Sequence, residues 1–409
     1  MAHALVPGMR RVIFALSLIF LPHLALAQSA PDTEDGLSNL PIPSWAKGIA
    51  DSFGKPLHPV VGGVASGGGL GAGIGYDSPD GKLWYQSAEA MVTMRRYWSL
   101  EGEVGRRSPG KHSQLGVFGG VRDMNRIDYF GLGPNTSFDD RSAFRLRETT
   151  FGARGWHRVA PAVRLGGSAA MYMPDLGPGK STRVRSIEQV FAETSIPGFA
   201  AEPTFCRYRG FAELMYPVMA DPEPAEASAG YEATYQIALE AIRDQDSGRY
   251  SFHRWETEVQ QRIPGIRPGQ KLTLHGFLAT TTNDAEVPYY MLYTLGGAGG
   301  LKAFRPDLLG TDGTRATLRS FRNYRFRDRA LVLMQAEYRI PIVEKVHAIV
   351  FVDAGQVAPR TSQLFKDVRT GTGFSLGYLV KGKSVARVDV GLGSGEGMQI
   401  FWSFGTFQN

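Results

Sequence analysis

Apolar and polar residues alternate one by one in segment after segment of this sequence. Tyr231, Ala233, Tyr235, Ile237 and Leu239 interleave with Glu232, Thr234, Gln236, Ala238 and Glu240. Trp98, Leu100, Gly102 and Val104 interleave with Ser99, Glu101, Glu103 and Gly105. The pattern returns at Val332–Ile340 against Leu331, Leu333, Gln335, Glu337 and Arg339. It returns again at Val346, Ala348, Val350 and Val352 against His347, Ile349, Phe351 and Asp353. A helix would scatter the two classes around its circumference, whereas a strand puts them on opposite faces. The chain is therefore expected to be all-β. Glycine supports this, at 50 of 409 residues, about 12% against a usual ~7%. The glycines have no three-residue period, which excludes collagen. A single cysteine, Cys206, excludes a disulfide scaffold and any multi-cysteine metal site.

The N-terminus gives the compartment. Arg10 and Arg11 precede a ten-residue apolar stretch, Val12–Leu21, too short to span a bilayer as a helix. Ala25-Leu26-Ala27 then offers a small-x-small signal-peptidase site, with cleavage set by Ala25 and Ala27. Residues 1–27 are thus expected to be a cleavable signal peptide. Residues 28–60, with five prolines, are expected to be a periplasmic leader too small for a domain. Removing the signal takes the net charge from +6 to +4, because it carries two arginines and no acid. This weak basic balance does not call for nucleic acid.

A soluble sandwich would also alternate. Here the apolar faces are rich in aromatics, the chain is exported, and strands recur to its end. A closed transmembrane β-barrel explains all three, with apolar residues toward lipid and polar ones toward the lumen. The stretch 61–409 holds 349 residues. Sixteen strands would then take about 22 residues each, a strand of ~10 plus its turn.

Enzymatic motifs fail on inspection. Gly177-Pro178-Gly179-Lys180-Ser181-Thr182 ends like a phosphate-binding loop, but Pro174 stands where its first glycine should be. Glycines 69, 71, 73 and 75 keep period two and are expected in a first barrel strand rather than a dinucleotide loop. No HExxH or Gly-x-Ser-x-Gly occurs. Ser251 and His253 share a face, a weak lipase-like pairing that reads better as solvated wall. No enzyme activity, metal or cofactor is expected.

The last third carries a set of ordered motifs. Val287-Pro288-Tyr289-Tyr290 leads to Leu295-Gly296-Gly297, then Leu318-Arg319-Ser320-Phe321 and Tyr324–Arg329, then Ala336–Arg339 and Phe351–Gly355. Asp128–Pro134 fits the same set. Together they resemble the bacterial surface antigen family, the outer-membrane barrel domain of BamA/TamA-like proteins. The resemblance implies sixteen strands and a long extracellular loop folded into the lumen. It also implies an aliphatic-Arg-Gly-aromatic loop tip that meets acids on the inner wall. Carried over, the latch is Arg319 and Phe321 on the loop with Glu337 and Asp353 on the wall. Ser320 replaces the tip glycine, so a positive φ there would be strained. A second partial tip, Leu301-Lys302-Ala303-Phe304, makes Lys302 and Phe304 the alternative, but Arg319 keeps the arginine and the downstream spacing. At the C-terminus, Ile400, Trp402, Phe404, Gly405 and Phe407 form the expected insertion signal. It is imperfect, because Gln408 fills the last outward slot.

The family resemblance implies insertion or translocation of proteins or lipids at the outer membrane. Its insertases carry periplasmic POTRA domains, which residues 28–60 cannot hold. The expected partners are outer-membrane lipid, the barrel-assembly machinery for the chain's own insertion, and a POTRA-bearing or other periplasmic protein. The alternative is a passive pore or structural barrel gated by its lumen loop.

Overall fold

The computed structural model describes residues 56–79, 82–217, 230–282, 285–297, 317–380, 383–393 and 395–404. The proposed signal sites Ala25 and Ala27, the second tip residues Lys302 and Phe304, and Gly405 and Phe407 lie outside them. The first seven strands are β1 (Leu57–Gly62), β2 (Gly71–Asp77), β3 (Trp84–Thr93), β4 (Trp98–Arg107), β5 (Ser113–Tyr129), β6 (Ser142–Ala160) and β7 (Val163–Pro178). A two-residue β8 (Arg185–Ser186) pairs parallel with β6 and is followed by β9 (Phe205–Tyr216), β10 (Glu232–Asp244), β11 (Phe252–Pro264) and β12 (Lys271–Thr281). Next come β13 (Tyr293–Leu295) and β14 (Phe326–Asp328), which form a separate two-stranded sheet. The last five are β15 (Ala330–Val343), β16 (Val346–Ala358), β17 (Arg369–Val380), β18 (Lys383–Leu392) and β19 (Gln399–Phe404).

Leaving aside β8, β13 and β14, sixteen strands run antiparallel, each paired with the next, from β1 to β19. The result is an all-β, nearly closed barrel. At one end strands are joined by turns as short as 161–162 and 344–345; at the other, 130–141, 179–204 and 282–329 form long connections. Leu57 pairs with Tyr76 and Phe404 with Ala386, so both terminal strands begin or finish at the short-turn end.

The alternation decides which surface meets which solvent. Leu100 is 57% exposed and Trp402 67%, while Asp353 is 0% exposed and faces inward. Leu239, Val117 and Phe374 share the outer surface; Glu103, Glu148, Glu240 and Glu337 share the inner one. This is the reverse of a water-soluble domain, and an outer wall of this kind is stable against lipid. Inside, acids on one strand meet arginines on another: Arg154 with Glu103, Arg209 with Glu256 at 2.8 Å, and Arg262 with Glu232 at 2.9 Å. Each pairing compensates charges that are largely withdrawn from solvent on the inner wall.

Two expectations need correction at the N-terminal edge. The first strand is Leu57–Gly62, so the wall begins within the stretch assigned to the leader. The glycine run supplies β2, the second strand. The misreading came from Pro59, which looked like linker; an edge strand tolerates proline because its outer side need not donate to a ladder.

Candidate functional site

Two features stand out: a loop held inside the lumen and a seam in the wall. The described parts of the connection 282–329 turn inward, and Tyr289, Tyr290, Tyr293, Leu318, Arg319 and Phe326 are all buried. The inner face of β15 carries Leu331 and Leu333, apolar residues among polar neighbours. They pack with Leu295, Leu318, Phe321 and Phe326 of the loop, which explains why that part of the lumen face is not hydrophilic. At the long-loop end a second cluster joins Tyr289 and Tyr290 to wall residues Tyr129, Phe144, Tyr172 and Phe205. Tyr290 donates its hydroxyl to Ala201 O at 2.7 Å, tying loop to loop, and Arg327 donates to Tyr289 O at 2.7 Å within the connection 282–329.

The structure brings Arg319, Glu337 and Asp353 together. Arg319 is fully buried. Its backbone N–H and its Nε both donate to Asp353 Oδ2, at 3.0 and 2.8 Å, and Nη2 donates to Oδ1. Nη1 donates to Glu337 Oε1. The guanidinium also lies over the Phe351 ring, 3.6 Å from its centroid, a favourable cation–π placement. Phe321 does not join the ion pair; it stacks edge-on with Phe326 at 5.1 Å and anchors the apolar side of the tip.

Sequence reasoning missed the rest of this network. Arg387 of β18 donates to Glu337 Oε1 at 2.7 Å and to Asp389 Oδ1 at 2.8 Å, and Ser375 donates to Asp389 at 2.6 Å. On the other flank Gln335 donates to Asp353 Oδ1 and to Thr317 O, at 3.1 and 3.2 Å. His275 pairs with Gln335 Oε1 at 2.8 Å and with Glu258 Oε1 at 2.7 Å. The arginine therefore sits in the middle of a polar chain running from β11 to β18. The signal was present, because Arg387 and Asp389 alternate with Val388 and Val390.

Glycines make room for the tip. A Cβ at Gly371 would stand 2.1 Å from Ser320 Oγ, and one at Gly391 would stand 2.2 Å from Arg319 O. Ser320 is not among the positive-φ residues, so the replaced glycine costs no backbone strain. Its hydroxyl instead donates to Thr372 O at 3.1 Å.

Near the loop's exit, burial raises the Asp328 carboxyl to about 6, against which the Arg329 N–H acts weakly. An unfolded aspartate titrates near ~3.9. A raised acid pKa means that the docked loop binds a proton more tightly than the undocked one. Docking is thus favoured below pH ~4 and loses that advantage as pH rises through about 6. The heat-modifiability midpoint should rise between pH 7.5 and 5, and Asp328→Asn should flatten that rise. An unchanged slope in the variant would remove Asp328 from the account.

The seam lies between β1 and β19. Every other neighbouring pair of wall strands has a hydrogen-bonded register; among the described residues β1 and β19 have none. Among the described residues these strands span six residues each, against seventeen in β5 and nineteen in β6. On β19, Ile400 and Trp402 point outward and are exposed. Ser251 and His253 form no pair with each other: Ser251 Oγ accepts from the Asp244 N–H, and His253 meets Arg243.

No protein-family profile matches the sequence, and no curated protein matches it. Solved structures do match in fold. BamA from Haemophilus ducreyi lacking POTRA domains 1–3 superposes with a TM-score of 0.55 at 15% identity, covering 85% of this chain and 69% of that one. CdiB from Escherichia coli gives 0.55 at 10% identity, covering 85% of this chain and 62% of that one, less than two thirds of its length. The chain shares the barrel fold of these BamA and CdiB structures.

Proposed function

We propose that this chain is an outer-membrane barrel that assists insertion or translocation of proteins or lipids at its seam. The observation that carries this reading is that, among the described residues, β1 and β19 share no ladder. Unpaired N–H and C=O groups facing hydrocarbon cost several kcal/mol each, so a client strand gains by adding to either edge. The likeness to BamA and CdiB supports the outer membrane as the location. Against a passive pore stands the docking of the loop on the inner wall, where Leu295, Leu318, Phe321 and Phe326 pack with Leu331 and Leu333. In this reading Arg319, Glu337 and Asp353 hold the loop in place while the seam works. No catalytic step is assigned to any residue.

Depletion followed by a census of outer-membrane proteins tests the reading. Other barrels should fall in abundance while soluble periplasmic proteins do not. Unchanged barrel levels, together with steady conductance in planar bilayers, would favour the pore instead.

A further inference from the structure

The two edges of the seam lack a ladder, yet the connections leading into them are held by one short stretch of the lumen loop. On the β1 side, the turn before β2 lies against Asn323 and Tyr324. A Cβ on Gly67 would be 3.5 Å from Asn323 Nδ2 and 4.0 Å from the Tyr324 ring. Val64 and Ala65 of the same turn pack against the cluster that contains Tyr324. On the β19 side, Arg325 Nε donates to Glu396, which lies in the connection between β18 and β19. The same guanidinium is fixed from behind, donating Nη1 to the Thr136 hydroxyl and Nη2 to Thr136 O at 2.8 Å. Tyr324 between them has φ 58°, a left-handed conformation that a bulky residue adopts only when its surroundings force it.

We propose that Asn323–Arg325 is a clasp across the long-loop end of the seam, standing in for the missing strand pairing and setting how far the edges separate. Its significance for clients rests on the seam reading above, but its mechanics do not. Packing reaches the β1 side of the clasp, and the Arg325–Glu396 ion pair reaches the β19 side. Removing that ion pair loosens the connection carrying Glu396, while Arg325 stays on Thr136.

Spin labels at L70C and M398C, both exposed positions, in a Cys206→Ser background report the distance across the seam without any client present. The parent should give one narrow distribution. Glu396→Ala and Arg325→Ala should each lengthen the mean by at least one strand spacing, about 5 Å. Distributions superimposable on the parent in folded, heat-modifiable variants would overturn the clasp. If Arg325→Ala fails to fold, Glu396→Ala decides alone, since Glu396 lies in the connection between β18 and β19 rather than in a wall strand. An unchanged distance would sink the clasp and leave the client-pairing reading to the depletion experiment.

Discussion

Arg319→Ala should destabilise the folded barrel by about 3–5 kcal/mol, the usual cost of removing one partner from a buried charge network. The reason lies in what remains. Glu337 keeps Arg387, but Asp353, a fully buried carboxylate, loses the guanidinium and is left with two neutral donors, the backbone N–H of residue 319 at 3.0 Å and the Gln335 amide at 3.1 Å. Loss of the cation–π contact with Phe351 adds to the deficit. Urea unfolding in detergent, followed by heat-modifiability, measures the effect. Asp353→Asn in the Arg319→Ala background should recover part of it, because the orphaned charge is the main penalty. The two substitutions are in direct contact and should couple strongly. Wild-type midpoints for both single variants would show that the network bears no weight.

Gly391→Ala should also be damaging, for a steric reason. The added methyl would stand 2.2 Å from Arg319 O and 2.7 Å from its carbonyl carbon, and backbone cannot swing away as a side chain can. Overpacking of this kind costs about 1–3 kcal/mol. The loop tip must lift off β18, and that motion also lengthens the contacts of Arg319 to Asp353. Gly371→Ala is the instructive comparison, since its methyl would meet the Ser320 side chain, with Oγ at 2.1 Å and Cβ at 2.4 Å. Ser320→Gly should therefore rescue Gly371→Ala and leave Gly391→Ala unimproved. Equal rescue of both would mean that the loop tip sits differently over the wall.

These experiments probe contacts of very different legibility. The wall could be read because strand alternation is local: Glu337 and Asp353 face inward for the same reason that Tyr338 and Val352 do not. The count of sixteen is what the family resemblance implies and the residue arithmetic allows, and sixteen wall strands are present among the described residues. The start of the wall was misplaced because Pro59 belongs to an edge strand, where local composition resembles a linker. The apolar inward pair Leu331 and Leu333 was grouped with polar residues, since only the loop that covers them gives them a partner. The glycines at 371 and 391 looked like two more members of a glycine-rich wall. Their purpose depends on Arg319 and Ser320, which lie more than fifty residues earlier in the chain. Long-range contact of that kind leaves no periodic trace. The seam is equally silent in sequence, because it is defined by hydrogen bonds that two strands do not make.

The most direct test of the central claim is to close that seam covalently. Paired cysteines scanned along Leu57–Gly62 and Gln399–Phe404, in a Cys206→Ser background, would yield a pair that oxidises across the gap. Folding of an unfolded client barrel would then be timed in vesicles containing the oxidised or the reduced protein. The account predicts that the reduced barrel accelerates client folding and that oxidation abolishes the acceleration reversibly. Equal acceleration by locked and unlocked barrels would contradict it, because client strands would then have no need of the free edges of β1 and β19.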